Sequence, residues 1–312
     1  MALKIDNEVV HATATETIMQ YTDMFSTGTA GAITVSTESI MGDLQATSML
    51  AEIASIIGRR DIAAGTDASV KTLSSRDENN VKMYWGTGAI EFKMVDATRY
   101  GSNSDAFSVA IGQQVGKGIV TYLLNSALAA VRASVETETT LVTGDGTDSV
   151  THTLLNTALR PMGDARDDIV CWVMQGATYS DLVGQAITDK IDSVAGGSIR
   201  SGSVPTLGRP TYVTDSASLD MTAGVAILGL TVGSIQVVET ASRNFISEVV
   251  SGKENLVYRI QGEGEFLLNV KGYSWKAASG TNPTAATVGT AANWELKASD
   301  VKSSAGVLLN VL

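Results

Sequence analysis

Between residues 103 and 136, apolar side chains return at every fourth position: Phe107, Ile111, Val115, Ile119, Leu123, Ala127, Val131 and Val135. The stretch holds no proline and opens with Ser104-Asp105, a capping residue with an acid in the first turn, so the pattern predicts one helix. About 34 residues at a rise of ~1.5 Å give a rod of roughly 50 Å. A row of every fourth residue drifts by about 40° per step around a 3.6-residue helix, so the apolar stripe winds around the rod. The helix is therefore expected to meet different partners along its length. It is either a long core helix or the backbone of a flat, plate-like subunit, and the flanking segments favour the plate.

Residues 1–58 read as short helical pieces between Gly/Thr/Ala linkers. One piece runs over 18–25. A longer helix is expected over 39–57, with Leu44, Met49, Ile53 and Ile56 apolar and Gly58 as its stop. This segment has too little apolar surface for a core of its own and reads as an arm packed on something else. From 61 to 99 the period changes to two. Residues 68–73 and 89–95 alternate as strands do, and the polar cluster 74–80 between them reads as a turn followed by 81–85. The result is a hairpin-like excursion that needs support from another surface.

Beyond the long helix, the pattern predicts a loop at 142–149, a short helix at 151–162 ended near Pro161, and a buried strand at 168–174. A helix at 178–191, a glycine/serine loop at 196–208 and strands at 209–214 and 224–238 follow. Residues 141–240 read together as a compact α/β unit. From 255 to 277 apolar residues alternate again, with Gly262-Glu-Gly264 as either a bulge or a turn. Closing strands are expected at 294–297 and 307–312.

Composition narrows the picture. Of 312 residues, 44% are hydrophobic and 18% charged, which is a globular composition large enough for a substantial core. Low charge with abundant small residues suits a subunit that hides surface against neighbours. The net charge is −11 and no Lys/Arg run is present, which argues against a DNA-condensing role. Residues 1–58 carry Asp6, Glu8, Glu16, Asp23, Glu38, Asp43 and Glu52 against Lys4 alone. The single cysteine, Cys171, lies in an apolar run and reads as a buried core thiol, with no disulfide possible within the chain. No signal peptide and no apolar span of about 18 residues is read from the sequence, which makes cytoplasmic synthesis the expectation.

Candidate chemistry is sparse. Gly112 to Gly118 has three residues between its first glycines and Gly after Lys117, where a phosphate loop needs four and Ser/Thr; it also falls inside the helix. His11 and His152 are far apart, and with one cysteine no zinc spacing exists. The acids of 144–148 lack the alternation and closing Glu of a calcium loop. Glu263 and Glu265 are carboxylates on alternating strand positions, without the aromatic cleft of a glycosidase. The expectation is a protein with no catalytic, cofactor or metal site.

The order of arm, strand-rich excursion, long helix, α/β block and C-terminal sheet resembles the major capsid protein of tailed bacteriophages, with the α+β Hong Kong 97-type capsid fold. Residues 251–263, SGKENLVYRIQGE, also have the flavour of phage coat proteins. The resemblance implies an N-terminal arm at 1–60, an extended E-loop at 61–100 and the spine helix of a P domain at 101–140. It implies an axial (A) domain at 141–240, with 241–312 returning to the P-domain sheet. It further implies self-assembly into pentamers and hexamers of an icosahedral head shell enclosing double-stranded DNA, that DNA being non-specific content. Arg76, Asp77 and Glu78 become the E-loop tip, a subunit-interface site. Partners implied are further copies of the chain, a separate scaffolding protein, a portal and a decoration protein, with the virion as location and no membrane. Lys71 and Lys82 are the lysines available for an E-loop crosslink, and no motif singles them out. The alternatives are a bacterial nanocompartment shell of the encapsulin type and a cytosolic α/β enzyme centred on 141–240.

Overall fold

Two sheets and one helix that spans both organise the chain. The computed structural model describes residues 7–38, 42–50, 75–93, 95, 104–194, 206–239, 243–252 and 254–312. In chain order these form α1 (Asn7–Gly28), β1 (Ile33–Thr37), β2 (Leu44–Leu50), β3 (Ser75–Gly86), β4 (Ile90–Lys93) and the long α2 (Ser104–Glu136). There follow β5 (Val142–Thr143), α3 (His152–Ala158), β6 (Ile169–Met174), α4 (Gly176–Val194), β7 (Thr211–Val213), β8 (Val225–Thr231) and β9 (Ile235–Glu239). The chain closes with β10 (Asn244–Val250), β11 (Val257–Val270), β12 (Tyr273–Trp275), α5 (Ala285–Val288), β13 (Trp294–Leu296) and β14 (Gly306–Val311).

The winding stripe on α2 does what its period implies. Near its start, Phe107 and Ile111 pack with Val10, Phe92, Tyr258 and Ile260. In the middle, the Tyr122 ring meets the edge of Phe266 at 6.0 Å. One turn on, Asn125 Oδ1 accepts from Ser216 Oγ at 2.6 Å, and at the far end Arg132 Nη2 donates to Gly289 O at 2.8 Å. By hydropathy alone Ala106–Glu136 is apolar enough to cross a bilayer, contrary to expectation, yet 72% of that window is buried within the protein.

The seven-stranded sheet runs β1-β9-β11-β3-β2, and β10 and β4 flank the N-terminal half of β11. The five-stranded sheet runs β5-β14-β8-β6-β7. These sheets do not divide where the sequence pattern suggests. The expected strand at 224–238 is two strands, because the chain turns at Val232-Gly233 and passes from the five-stranded sheet to the seven-stranded one. Buried hydroxyls hold that crossover: Ser234 Oγ donates to Ala305 O at 2.5 Å and Thr231 Oγ1 to Ser304 O at 3.2 Å. The last strand, β14, sits inside the five-stranded sheet between β5 and β8 and is buried throughout.

The N-terminal segment packs on the chain itself. Val10, Ala14 and Ile18 of α1 are buried, and β1 pairs in parallel with β9, Ile33 opposite Ile235. The glycines that resembled a loop motif serve this contact. A Cβ on Gly112 would stand 2.9 Å from Val10 O, and one on Gly116 3.0 Å from Ala14 O, so only glycine lets α1 approach so closely.

Three expectations are corrected. The helix read over 39–57 is a strand where it is described: β2 pairs antiparallel with β3, Leu44 opposite Val81, so cross-strand pairing overrides a helical spacing of apolar residues. The cluster at 74–80 is the first half of β3 from Ser75 onwards, not a turn. Its polar side chains find partners there, as in the 2.5 Å bond from Ser48 Oγ to Asp77 Oδ1. The strand read at 68–73 and the residues 51–57 lie outside the described residues. Gly262 and Gly264, read as a bulge or turn, are part of the continuous β11. Aromatic rings cover them: a Cβ on Gly262 would lie 2.5 Å from Phe245, and one on Gly264 2.5 Å from Trp85.

Candidate assembly surfaces

The candidate chemical groups do not converge. His11 lies exposed on α1 with its ring 5.7 Å from Phe245, and His152 opens α3. Cys171 is fully buried, and burial pushes its thiol up to about 11. Glu263 and Glu265 share a face of β11, but Glu265 is committed to Lys82 at 2.9 Å, where the Lys82 side chain is 5% exposed. Lys82 is thus an internal ion-pair partner and not an accessible crosslinking amine. Among the described residues, no group of three or more His, Cys, Asp or Glu side chains is placed to hold a metal.

Arg76, Asp77 and Glu78 stand in β3 opposite Met49, Ser48 and Thr47 of β2. Asp77 is exposed and Glu78 buried, as strand alternation requires. The connection between β2 and β3, residues 51–74, lies outside the described residues.

What the surface offers is area for contact. Beside the end of β3, a groove of about 520 Å³ runs between the sheet and α2. Trp85, Ile90, Ile111, Val115, Ile119 and Tyr122 line it, and Tyr84 stands at its rim, 43% exposed. Tyr84 Oη donates to Asp43 Oδ1 at 2.8 Å, which with some desolvation holds its phenol up at about 12. The outer face of the β11 sheet carries a charged row across three strands, where Arg259 bonds Glu91 at 2.5 Å and Glu248 at 3.3 Å. Ile246 stands beside that row, 68% exposed. The outer face of α1 shows Met19 and Met24 among acids, with no base in its last turn. Apolar grooves of this kind are candidate contact surfaces. The composition had indicated hidden surface; it could not locate it, since the groove is built from residues in two distant segments.

An α+β subunit with a long helix across two sheets has the architecture of phage shell proteins. Solved structures agree. A chain from Mycobacterium phage Bobi superimposes with a TM-score of 0.52 at 12% identity, covering 95% of this chain and 90% of that one. The capsid of the Cyanophage P-SCSP1u gives 0.51 at 12% identity over 91% and 87%. Microbacterium phage Oxtober96 gives 0.51 at 13% identity over 91% and 90%. At such identities the likeness establishes the fold, the Hong Kong 97-type capsid fold. No curated protein matches in sequence. Residues 2–308 match the family described as major capsid protein 13-like, and the chain belongs to that family. It is a structural protein of a phage head shell.

Proposed function

We propose that copies of this chain form the pentamers and hexamers of an icosahedral shell that encloses double-stranded DNA, without catalytic activity of its own. The observation that carries this reading is the family match, which spans both sheets and the helix between them. The seven-stranded sheet with α2 acts as the P domain. The five-stranded sheet with α3 and α4 acts as the A domain around the capsomer axis and includes the C-terminal strand β14. The β2–β3 excursion acts as the E-loop, laid over the next subunit, and the groove beside Tyr84 receives it. Exposed Asp77 contributes to that interface, while buried Glu78 supports the strand from within. These contacts are heterologous, so rotation about the capsomer axis closes them into rings.

A separate scaffolding protein, a portal and a decoration protein complete the assembly, in the virion. The DNA is content and not ligand, since a net charge of −11 offers no counterion release. Sedimentation velocity of the protein, alone and co-expressed with a scaffolding protein, tests the reading. Megadalton species support it. A monomer or small oligomer under both conditions overturns it.

A further inference from the structure

Among the described residues the edge of the seven-stranded sheet at β10 is open, and alternation shows which of its groups are unpaired there. Phe245 stands opposite Gly262. Gly262 spends its own backbone groups on the other side: its N–H donates to Thr87 Oγ1 at 2.7 Å and its carbonyl accepts from Thr87 N at 2.8 Å. Phe245 is therefore in a non-hydrogen-bonded pair, so the N–H and C=O of Phe245, Ser247 and Val249 point outward. Among the described residues, the contact made on that edge is Asn7 Nδ2 to Phe245 O at 3.5 Å, the outer limit of a hydrogen bond. A row of unpaired backbone groups is a template for another strand.

We infer that the partner is β10 of a second copy, paired antiparallel about a two-fold axis at Ile246. In that register Phe245 faces the partner's Ser247 and the reverse, and each such pair exchanges two backbone hydrogen bonds. Asn7 gives up its long bond to Phe245 O. On the outer face the two Ile246 side chains, each 68% exposed in the single chain, cover one another. Asn244 faces the partner's Glu248, an amide donor against a carboxylate that already holds Arg259. The same register keeps like charges apart, because the two Glu248 side chains are four positions from each other. Moving the axis to Glu248 would set the carboxylates face to face. This two-fold contact is isologous, unlike the ring contacts within a capsomer, so it joins one ring to the next. It rests on the chain assembling with itself and adds which edge joins two copies.

Disulfide trapping tests it. Cα atoms of a non-hydrogen-bonded antiparallel pair lie about 4.5 Å apart, within the range a disulfide spans. Ile246→Cys is expected to give a covalent dimer on oxidation. Val249→Cys places its two thiols about 20 Å apart at ~3.4 Å per residue and is expected to stay monomeric on a non-reducing gel. Native Cys171 is buried and does not contribute. Ser247→Pro removes an outward N–H while leaving the β10–β11 bonds intact, and added to Ile246→Cys it is expected to abolish the dimer. Oxidised Ile246→Cys that remains monomeric overturns the pairing, as does equal crosslinking of Val249→Cys. Shells that form without the Ile246 disulfide overturn the pairing alone and leave the shell reading standing.

Discussion

The close approach of α1 to α2 makes a quantitative prediction on a single helix. Gly112 and Gly118 are both interior residues of α2, so replacing either with Ala brings the same gain in helix propensity, about 1 kcal/mol. Their surroundings differ. A Cβ on Gly118 meets nothing within 4 Å, whereas one on Gly112 would lie 2.9 Å from both Val10 O and Thr13 Cβ. Val10 O is backbone and cannot rotate away, so relief requires α1 to shift bodily. Overpacking of this kind costs about 1–3 kcal/mol. Gly118→Ala should then stabilise the subunit by up to about 1 kcal/mol, and Gly112→Ala should leave it between unchanged and about 2 kcal/mol less stable. Propensity cancels in the comparison, which isolates the helix contact at about 1–3 kcal/mol, or roughly 1.5–5 °C in Tm for a chain of this size. Thermal melting of the unassembled subunit by circular dichroism measures it. A Gly112→Ala variant that melts at or above Gly118→Ala refutes the contact.

Three further outcomes follow from named groups. Lys82→Met removes the ion pair that Glu265 makes at 2.9 Å and should cost about 1–3 kcal/mol in urea unfolding, with Lys82→Met/Glu265→Leu recovering most of it. Asp164 is held below the usual carboxylate range by its hydrogen bond and charge contact with Lys302. A depressed carboxylate contributes stability above its unfolded value, near 4, and loses it as pH falls through the folded value. The melting difference between the native protein and Lys302→Gln should therefore be constant above about pH 5 and vanish in stronger acid; a difference that grows on acidification contradicts the link. Cys171, raised to about 11 by burial, should resist a thiol reagent at pH 8 in the folded protein and react at once in denaturant.

Much of the fold was legible where a period persists over many residues. The four-residue row of α2 and the alternation of β11 each identified an element, and the drift of the α2 row indicated its changing partners. What could not be read was pairing between distant segments. β1 finds β9 some two hundred residues on, and β14 enters the sheet built from residues before 232, so block boundaries drawn along the chain miss both. The β2–β3 pair failed for a related reason. Leu44 and Met49 suit a helix as well as a strand, and the polar run after Ser75 reads as a turn until β2 is placed beside it. Gly112 and Gly116 were legible as a pair. Their four-residue spacing on a helix signals close packing against another helix more directly than phosphate binding.

The candidate surfaces were less readable still. Low charge and many small residues pointed to hidden area, but the groove at Tyr84 and the open edge of β10 exist only once β3, α2 and β11 are assembled. Arg76 to Glu78 were chosen as a polar tip. In the fold they are strand residues, and only the outward-facing ones remain available for a neighbour.

Electron microscopy of the expressed protein with a scaffolding protein tests the central claim most directly. The account predicts closed shells, or rings of five and six subunits, with one sheet per subunit toward the ring axis. Uniform small particles under the same conditions would contradict it.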